Sequence, residues 1–171
     1  WTFWGWQLED MSVLLLVGFE CFLRTAEILN IQCSHIVFGK GDTVIIQLPD
    51  TKTTARSGGA ESVSFQSPLL ARLLHLVCRR LAPGDKLLQR SAAQFRIAFD
   101  HALRHLGLSL AYRPYSLRRG GATHFFRLTG SMDKTMEAGR WREQRTARIY
   151  VNTALVELTS SRLDGEVTLR V

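Results

Sequence analysis

A chain of 171 residues, 46% of them hydrophobic and 22% charged, is long enough for one domain with a sizeable core and too apolar for wholesale disorder. Its net charge of +7 rests on 22 Lys and Arg residues, only four of them Lys. That bias favours an anionic polymer as partner, since a guanidinium forks onto phosphate better than an ammonium does, with an ordinary basic surface as the alternative. The apolar run Met11–Leu23 is interrupted by Gly18, Glu20 and Cys21 and follows no basic stretch, which argues against a bilayer span and a signal peptide.

In chain order, Gln7–Leu29 reads as one helix or a pair. Leu14, Leu15, Gly18, Cys21, Phe22 and Thr25 share a helical face, and Arg24 and Glu27 are neighbours three apart. Ile36–Phe38 suits a short strand and Gly39–Asp42 a turn. Thr43–Leu48 (TVIIQL) is the clearest strand, with SVSF at Ser62–Phe65 as its partner. Between them runs PDTKTTARSGGAE, a polar loop with Lys52 near its start. The apolar stripe Leu69, Leu70, Leu73, Leu74, Val77 and Leu81 predicts a helix over Pro68–Leu81, ended by Ala82-Pro83-Gly84-Asp85. Ser91 can cap a helix reaching about Leu106, with Gly107 as its stop. Ser116–Leu128 predicts another, stopped near Gly130, and Asp133–Gly139 and Arg142–Asn152 two short ones. EVTLRV in the tail can form a strand. The expected fold class is α+β, mainly helical, around a small antiparallel sheet.

Cys21, Cys33 and Cys78 are odd in number, far apart in sequence and not at metal-ligand spacing. Their apolar contexts read as buried reduced thiols, which points to an intracellular compartment. His101 and His105 are four apart but lack the Glu neighbour of a zinc helix, so no metal site is expected. SGGAES lacks the Lys-Ser/Thr ending of a nucleotide-binding loop.

The densest signal runs from Arg118 to Tyr150, RRGGATHFFRLTGSMDKTMEAGRWREQRTARIY, preceded by Tyr115 in YSLR. Upstream stand Arg24 in LRTAE and Lys52 in DTKTT. Arg, Lys, Arg, Trp and Tyr in that order are the parts for attacking a DNA phosphate with a tyrosine. The phenol attacks phosphorus, guanidinium groups hold the non-bridging oxygens, and an ammonium protonates the leaving oxygen. A phenol ionises near pH ~10 and needs positive charge nearby, and Arg142, Arg145 and Arg148 flank Tyr150 in sequence. Taken singly each residue has a plainer reading: a packed aromatic, a helix salt bridge for Arg24 and Glu27, a solvated loop lysine.

Taken together, the segment resembles the catalytic domain of the tyrosine recombinase (phage integrase-like) family over about residues 11–152. LRRGGATHFF lies without gaps over the family's LRH-x-x-A-T segment, Trp141 falls at its second His/Trp position, and Tyr150 at its nucleophile. The resemblance implies that Arg24 and Arg118 are the two catalytic arginines and Trp141 their companion. It implies that Lys52 protonates the leaving 5′ oxygen and that Glu27 orients the site. Arg119 is either a helix-surface arginine or a phosphate-backbone contact, and Arg142, Arg145 and Arg148 become DNA contacts. The implied reaction is a pair of transesterifications through a 3′-phosphotyrosyl link, with no cofactor, metal or ATP. The implied partner is double-stranded DNA, bound by a tetramer that is a monomer when free, with no membrane. The implied compartment is the nucleus in a eukaryote or the cytoplasm in a prokaryote, and the implied source a mobile element or virus. A tyrosine-bearing helix of this family is often mobile, so Tyr150 can stand away from the arginines without DNA.

The chain departs from the pattern at Tyr115, where the family usually has His, and at GFECFLR, where Thr-Gly-Leu-Arg is commoner. Tyr can hydrogen-bond a phosphate but is a poorer proton shuttle. Gly120 and Gly121 lie early in a predicted helix, where each costs about 1 kcal/mol against Ala. They admit two readings: close approach to DNA, or tight helix packing. The remaining alternatives are a type IB topoisomerase-like enzyme, a decayed DNA-binding module and an unrelated basic scaffold. An opening WTFWGW without Met reads as a piece of a longer chain. The expected organisation is one catalytic domain over 1–171 without its N-terminal core-binding domain.

Overall fold

In the computed structural model, residues 9–48 and 61–152 are described. Helix α1 spans Glu9–Glu20 and a single-turn helix α2 spans Thr25–Ile28. A 3-10 turn at Cys33–His35 leads into three strands, β1 (Ile36–Phe38), β2 (Thr43–Gln47) and β3 (Ser62–Gln66). Then come α3 (Pro68–Cys78), α4 (Ala92–His105), α5 (Tyr115–Thr129) and α6 (Met132–Gly139). Residues 144–152 form a further helix, α7. The loop carrying Lys52 and the EVTLRV segment lie outside the described residues.

The strands form an antiparallel sheet in the order β1-β2-β3, with Ile36 opposite Ile46 and Ile45 opposite Ser64. Val44, Ile46, Val63 and Phe65 are buried and their neighbours exposed, the period-2 signature of a sheet with one covered face. The main core joins that face to α1 and α3, through residues such as Met11, Leu14, Val17 and Leu74. α1 packs against both α3 and α5. A second cluster, of Phe22, Ala122, Trp141 and Ala147, lies under the candidate site. Among the described residues no helix is long and apolar enough to cross a membrane.

The predicted elements that fall within the described residues are present, with boundaries shifted by a few residues. Gln7–Leu29 is the pair rather than one helix. α1 stops because Phe22 takes a left-handed φ of 49°. The Leu23 N–H then reaches back to the Gly18 carbonyl at 2.9 Å, closing a Schellman turn. Arg24 and Glu27 are therefore not two members of one helix surface. Arg24 is the extended N-cap of α2 (φ −71°, ψ 150°) and Glu27 is its third residue. In α3 the buried residues are Leu70, Ala71, Leu74 and Val77, while Leu69 is 66% exposed. The covered stripe is rotated by about one position from the leucine pattern, and the helix ends at Cys78, short of Leu81. Ser91 and Gln94 form a reciprocal capping box at the start of α4. α5 ends at the left-handed Gly130 (φ 62°).

Cys33 and Cys78, far apart in sequence, meet in space with their thiols hydrogen-bonded. Burial pushes the Cys78 thiol up to about 12 and raises that of Cys33, while Cys21 is buried and all three are free.

Candidate active site

Two helix ends and one arginine build the centre of the site. α6 closes as α1 does. Arg140 is left-handed (φ 57°, ψ 40°), and the Trp141 N–H returns to the Met136 carbonyl at 2.9 Å. Each turn leaves a carbonyl facing inward, Phe22 on the first and Gly139 on the second. Arg118, from the first turns of α5, donates Nη1 to the Phe22 carbonyl and Nη2 to the Gly139 carbonyl, the latter at 2.7 Å. A cation is favoured there, since both helix dipoles point their negative ends at it. The guanidinium also lies 4.8 Å from the centre of the Trp141 ring. Arg118 is only 2% exposed. Burial pushes its pKa down to about 10, and Arg24 and Arg140 push the same way, yet it remains cationic at neutral pH.

Glu27 is fully buried and organises the other cations. Its Oε1 accepts from Arg24 Nη1 at 2.6 Å and from Arg140 Nη1 at 3.2 Å. Its Oε2 accepts from the Arg24 backbone N–H at 2.7 Å and from Arg140 Nη2 at 2.9 Å. Burial alone would raise the Glu27 carboxyl, but the bonds and charge of Arg140, with those of Arg24, hold it below the usual range. Glu61, which leads into β3, adds a second carboxylate at 3.3 Å from Arg140 and 3.9 Å from Arg24.

Tyr150 comes from α7. Its ring stacks on Trp141 (centroids 4.7 Å apart, planes 12° apart), and its hydroxyl is hydrogen-bonded to that of Tyr115. Its carbonyl accepts from the Thr123 hydroxyl of α5 at 2.6 Å. Tyr150 therefore sits against the arginine-bearing helix rather than apart from it. Tyr115 is 42% exposed, so water reaches the hydroxyl pair. Partial burial and the bond to Tyr150 raise the Tyr115 phenol, against a lowering pull from Arg118 and Arg24.

Of the residues singled out in the sequence, Arg24, Glu27, Arg118, Tyr115, Trp141 and Tyr150 are thus gathered in one place. Lys52 lies outside the described residues. Arg119, Arg142, Arg145 and Arg148 are exposed on α5 and on the segment running into α7. Sequence reasoning missed Arg140, Glu61 and Thr123. Arg140 stands just past the helix-ending Gly139, but nothing local in the sequence marks its pairing with Glu27 and Glu61. Among the described residues no group of His, Cys, Asp and Glu is arranged to hold a metal ion.

The sequence profile described as the phage integrase family matches residues 7–155. The chain belongs to that family. No curated protein sequence matches it. Among solved structures, the chain is similar to the XerH site-specific recombinase bound to palindromic difH substrate. That similarity has a TM-score of 0.72 and 17% identity, covering 91% of this chain and 45% of that one. It is also similar to the XerA recombinase (TM-score 0.68, 17% identity, 90% and 57% covered). A third similarity is to the Tn1549 transposon integrase in complex with transposon right end DNA (TM-score 0.63, 10% identity, 86% and 57% covered). The chain thus spans about half the length of these integrase-family relatives, with which it shares the catalytic-domain fold.

Proposed function

We propose that this phage integrase-family chain cleaves and rejoins duplex DNA through Tyr150. The observation that carries the reading is the meeting of the Tyr150 hydroxyl with Tyr115, over Trp141, beside the two arginines Arg118 and Arg24. The Tyr150 oxygen attacks the scissile phosphorus and forms the P–O bond of a 3′-phosphotyrosyl link, while the P–O5′ bond breaks. The phenol proton leaves to water at the exposed Tyr115 hydroxyl, and the 5′ oxygen takes a proton from Lys52. A 5′-hydroxyl then attacks the link and releases Tyr150. Each step exchanges one phosphoester for another, so the energy of the bond is conserved without ATP. Arg24 and Arg118 stabilise the charge on the non-bridging oxygens. The exposed Arg119, Arg142, Arg145 and Arg148 hold the DNA backbone. The DNA-bound relatives support duplex DNA as the partner. A tetramer on that DNA and an intracellular site of action complete the proposal.

The test is a nicked suicide duplex, from which the short fragment carrying the freed 5′-hydroxyl escapes and so prevents rejoining. The protein becomes covalently trapped and Tyr150→Phe does not. Absence of a trapped product from the parent, or its persistence in Tyr150→Phe, would overturn the reading. A second reading is favoured by the burial of Arg118 and the engagement of its two Nη groups with backbone carbonyls. In it, the chain binds DNA without cutting it, and the same assay yields only a reversible, salt-sensitive shift.

A further inference from the structure

Arg140 is the most heavily engaged cation of the site, and nothing in the cleavage chemistry above uses it. It forks onto both oxygens of Glu27 (3.2 and 2.9 Å) and reaches Glu61 at 3.3 Å. It does so from an unfavourable position. Its backbone is left-handed at φ 57°, which costs a non-glycine residue about 1 kcal/mol. Its Nε is buried and makes no hydrogen bond. Local strain and an orphaned donor persist where surrounding structure over-determines them, and they cluster at working sites.

The bonding pattern indicates what the arrangement achieves. Glu27 accepts four N–H groups on two oxygens: two from Arg140, one from the Arg24 side chain and one from the Arg24 backbone. Arg24 is thereby limited to a single side-chain contact with the carboxylate, through Nη1. Its side chain stays 36% exposed, with the rest of the fork available to an anion. Were Arg140 absent, the carboxylate could turn and take Arg24 in the two-pronged pairing that Arg–carboxylate pairs prefer. Glu27 would then take up the second prong as well, the one a phosphate has to meet.

We infer that Arg140 is a positioning residue for strand cleavage: by occupying Glu27, and bracing against Glu61, it keeps Arg24 from forking onto Glu27 with both prongs and leaves part of that guanidinium facing outward. The inference rests on the strand-transfer reading above, and its tests separate the two. Single-turnover trapping on the suicide duplex, at saturating DNA and well below the melting temperature of each variant, compares Arg140→Gly and Arg140→Lys with the parent. Arg140→Gly accepts the left-handed backbone but removes the fork. Its trapping rate falls on the order of 100-fold, the scale of a misplaced catalytic group, and duplex affinity changes far less. Arg140→Lys keeps the charge without the fork and recovers part of that rate. In an Arg24→Lys background the same Arg140→Gly change has little further effect, because the two act in series.

Two results would overturn the inference: an unchanged rate in Arg140→Gly while the parent is trapped, or an undiminished loss in the Arg24→Lys background. Failure of the parent itself to be trapped sinks the strand-transfer reading instead. A crystal structure of Arg140→Gly then decides the positioning role without reference to activity. Arg24 forking onto Glu27 with both prongs supports it; retention of the single Nη1 contact overturns it. A purely structural Arg140 predicts a lower melting temperature with neither the rate loss nor the re-pairing.

Discussion

Gly121 provides a prediction that decides between the two sequence readings of the GG pair. A Cβ built on Gly121 would lie 2.0 Å from the Phe19 carbonyl oxygen, 3.0 Å from the Phe19 carbonyl carbon and 2.8 Å from Phe22 Cδ1. The obstacle is the backbone of α1, which cannot rotate aside as a side chain can. In Gly121→Ala the two helices have to separate by about 1 Å at this point merely to reach the shortest contacts that close-packed interiors tolerate. Overpacking of this kind costs about 3 kcal/mol, at the upper end of the usual range, because neither side is flexible. Better helix propensity returns about 1 kcal/mol. The net loss of about 2 kcal/mol lowers the melting temperature by roughly 4–8 °C in a chain of this size. Gly120→Ala is the internal control. Its nearest obstacle is Phe19 Cε2 at 3.2 Å, the far edge of a ring with room to yield. There the propensity gain offsets the contact, leaving stability within about 0.5 kcal/mol of the parent. Thermal unfolding followed by circular dichroism, without DNA, separates them. If Gly121→Ala melts with the parent and only duplex binding suffers, helix packing is the wrong explanation for Gly121.

Two further substitutions probe the charged centre. Glu27→Gln removes the buried carboxylate that both Arg24 and Arg140 bond, and leaves those cations close to Arg118 with, among the described residues, only the more exposed Glu61 as counter-charge. Breaking a buried ion pair from one side costs about 3–5 kcal/mol at neutral pH. The Glu27 carboxyl lies below its ordinary 4.5 when folded, so on acidification the unfolded chain takes up the proton first. The Glu27 contribution is therefore complete above pH 4.5 and lost as pH falls toward the folded value. Denaturant titrations across that window show a shallower acid loss in Glu27→Gln than in the parent; equal slopes would refute this. Arg118→Lys keeps the charge but cannot reach the Phe22 and Gly139 carbonyls in the same fork. One buried carbonyl loses its donor at a cost of about 1–3 kcal/mol, read as a lower melting temperature. Unchanged stability would mean that the two helix ends do not depend on this bridge.

Most of the fold was legible because local chemistry and burial agree. Ser67 and Ser91 cap α3 and α4, Gly130 ends α5, and the alternation in TVIIQL and SVSF matches the covered face of the sheet. The break within Gln7–Leu29 was not legible, because the residue that turns left-handed is Phe22, a side chain with no local preference for that conformation. Tertiary packing supplies the reason. The Phe22 ring meets Phe125 and Trp141 at centroid distances of 5.7 and 6.5 Å. Arg140 was missed on the same ground. Neither a left-handed arginine nor its fork onto a residue more than a hundred positions earlier has a local sequence signature. The meeting of Cys33 with Cys78 is likewise a product of the fold alone.

The two unpredicted turns share one consequence. Phe22 and Arg140 each end a helix without glycine, and the carbonyls exposed beside them, those of Phe22 and Gly139, are the ones Arg118 binds. The bridge offsets strain at both turns while it fixes the guanidinium between α1 and α6. Gly139 cannot carry a side chain there, since its Cβ would meet the Trp141 ring at 2.1 Å. Trp141 in turn carries the Tyr150 ring, and Thr123, five residues after Arg118 on the same helix, bonds the Tyr150 carbonyl. The tyrosine is therefore seated by the same helix, α5, that supplies Arg118. A displacement of α5 against α1 moves Tyr150 and the Arg118 guanidinium together, while Arg140, set between Gly139 and Trp141, ties the Arg24–Glu27 pair to the same turn.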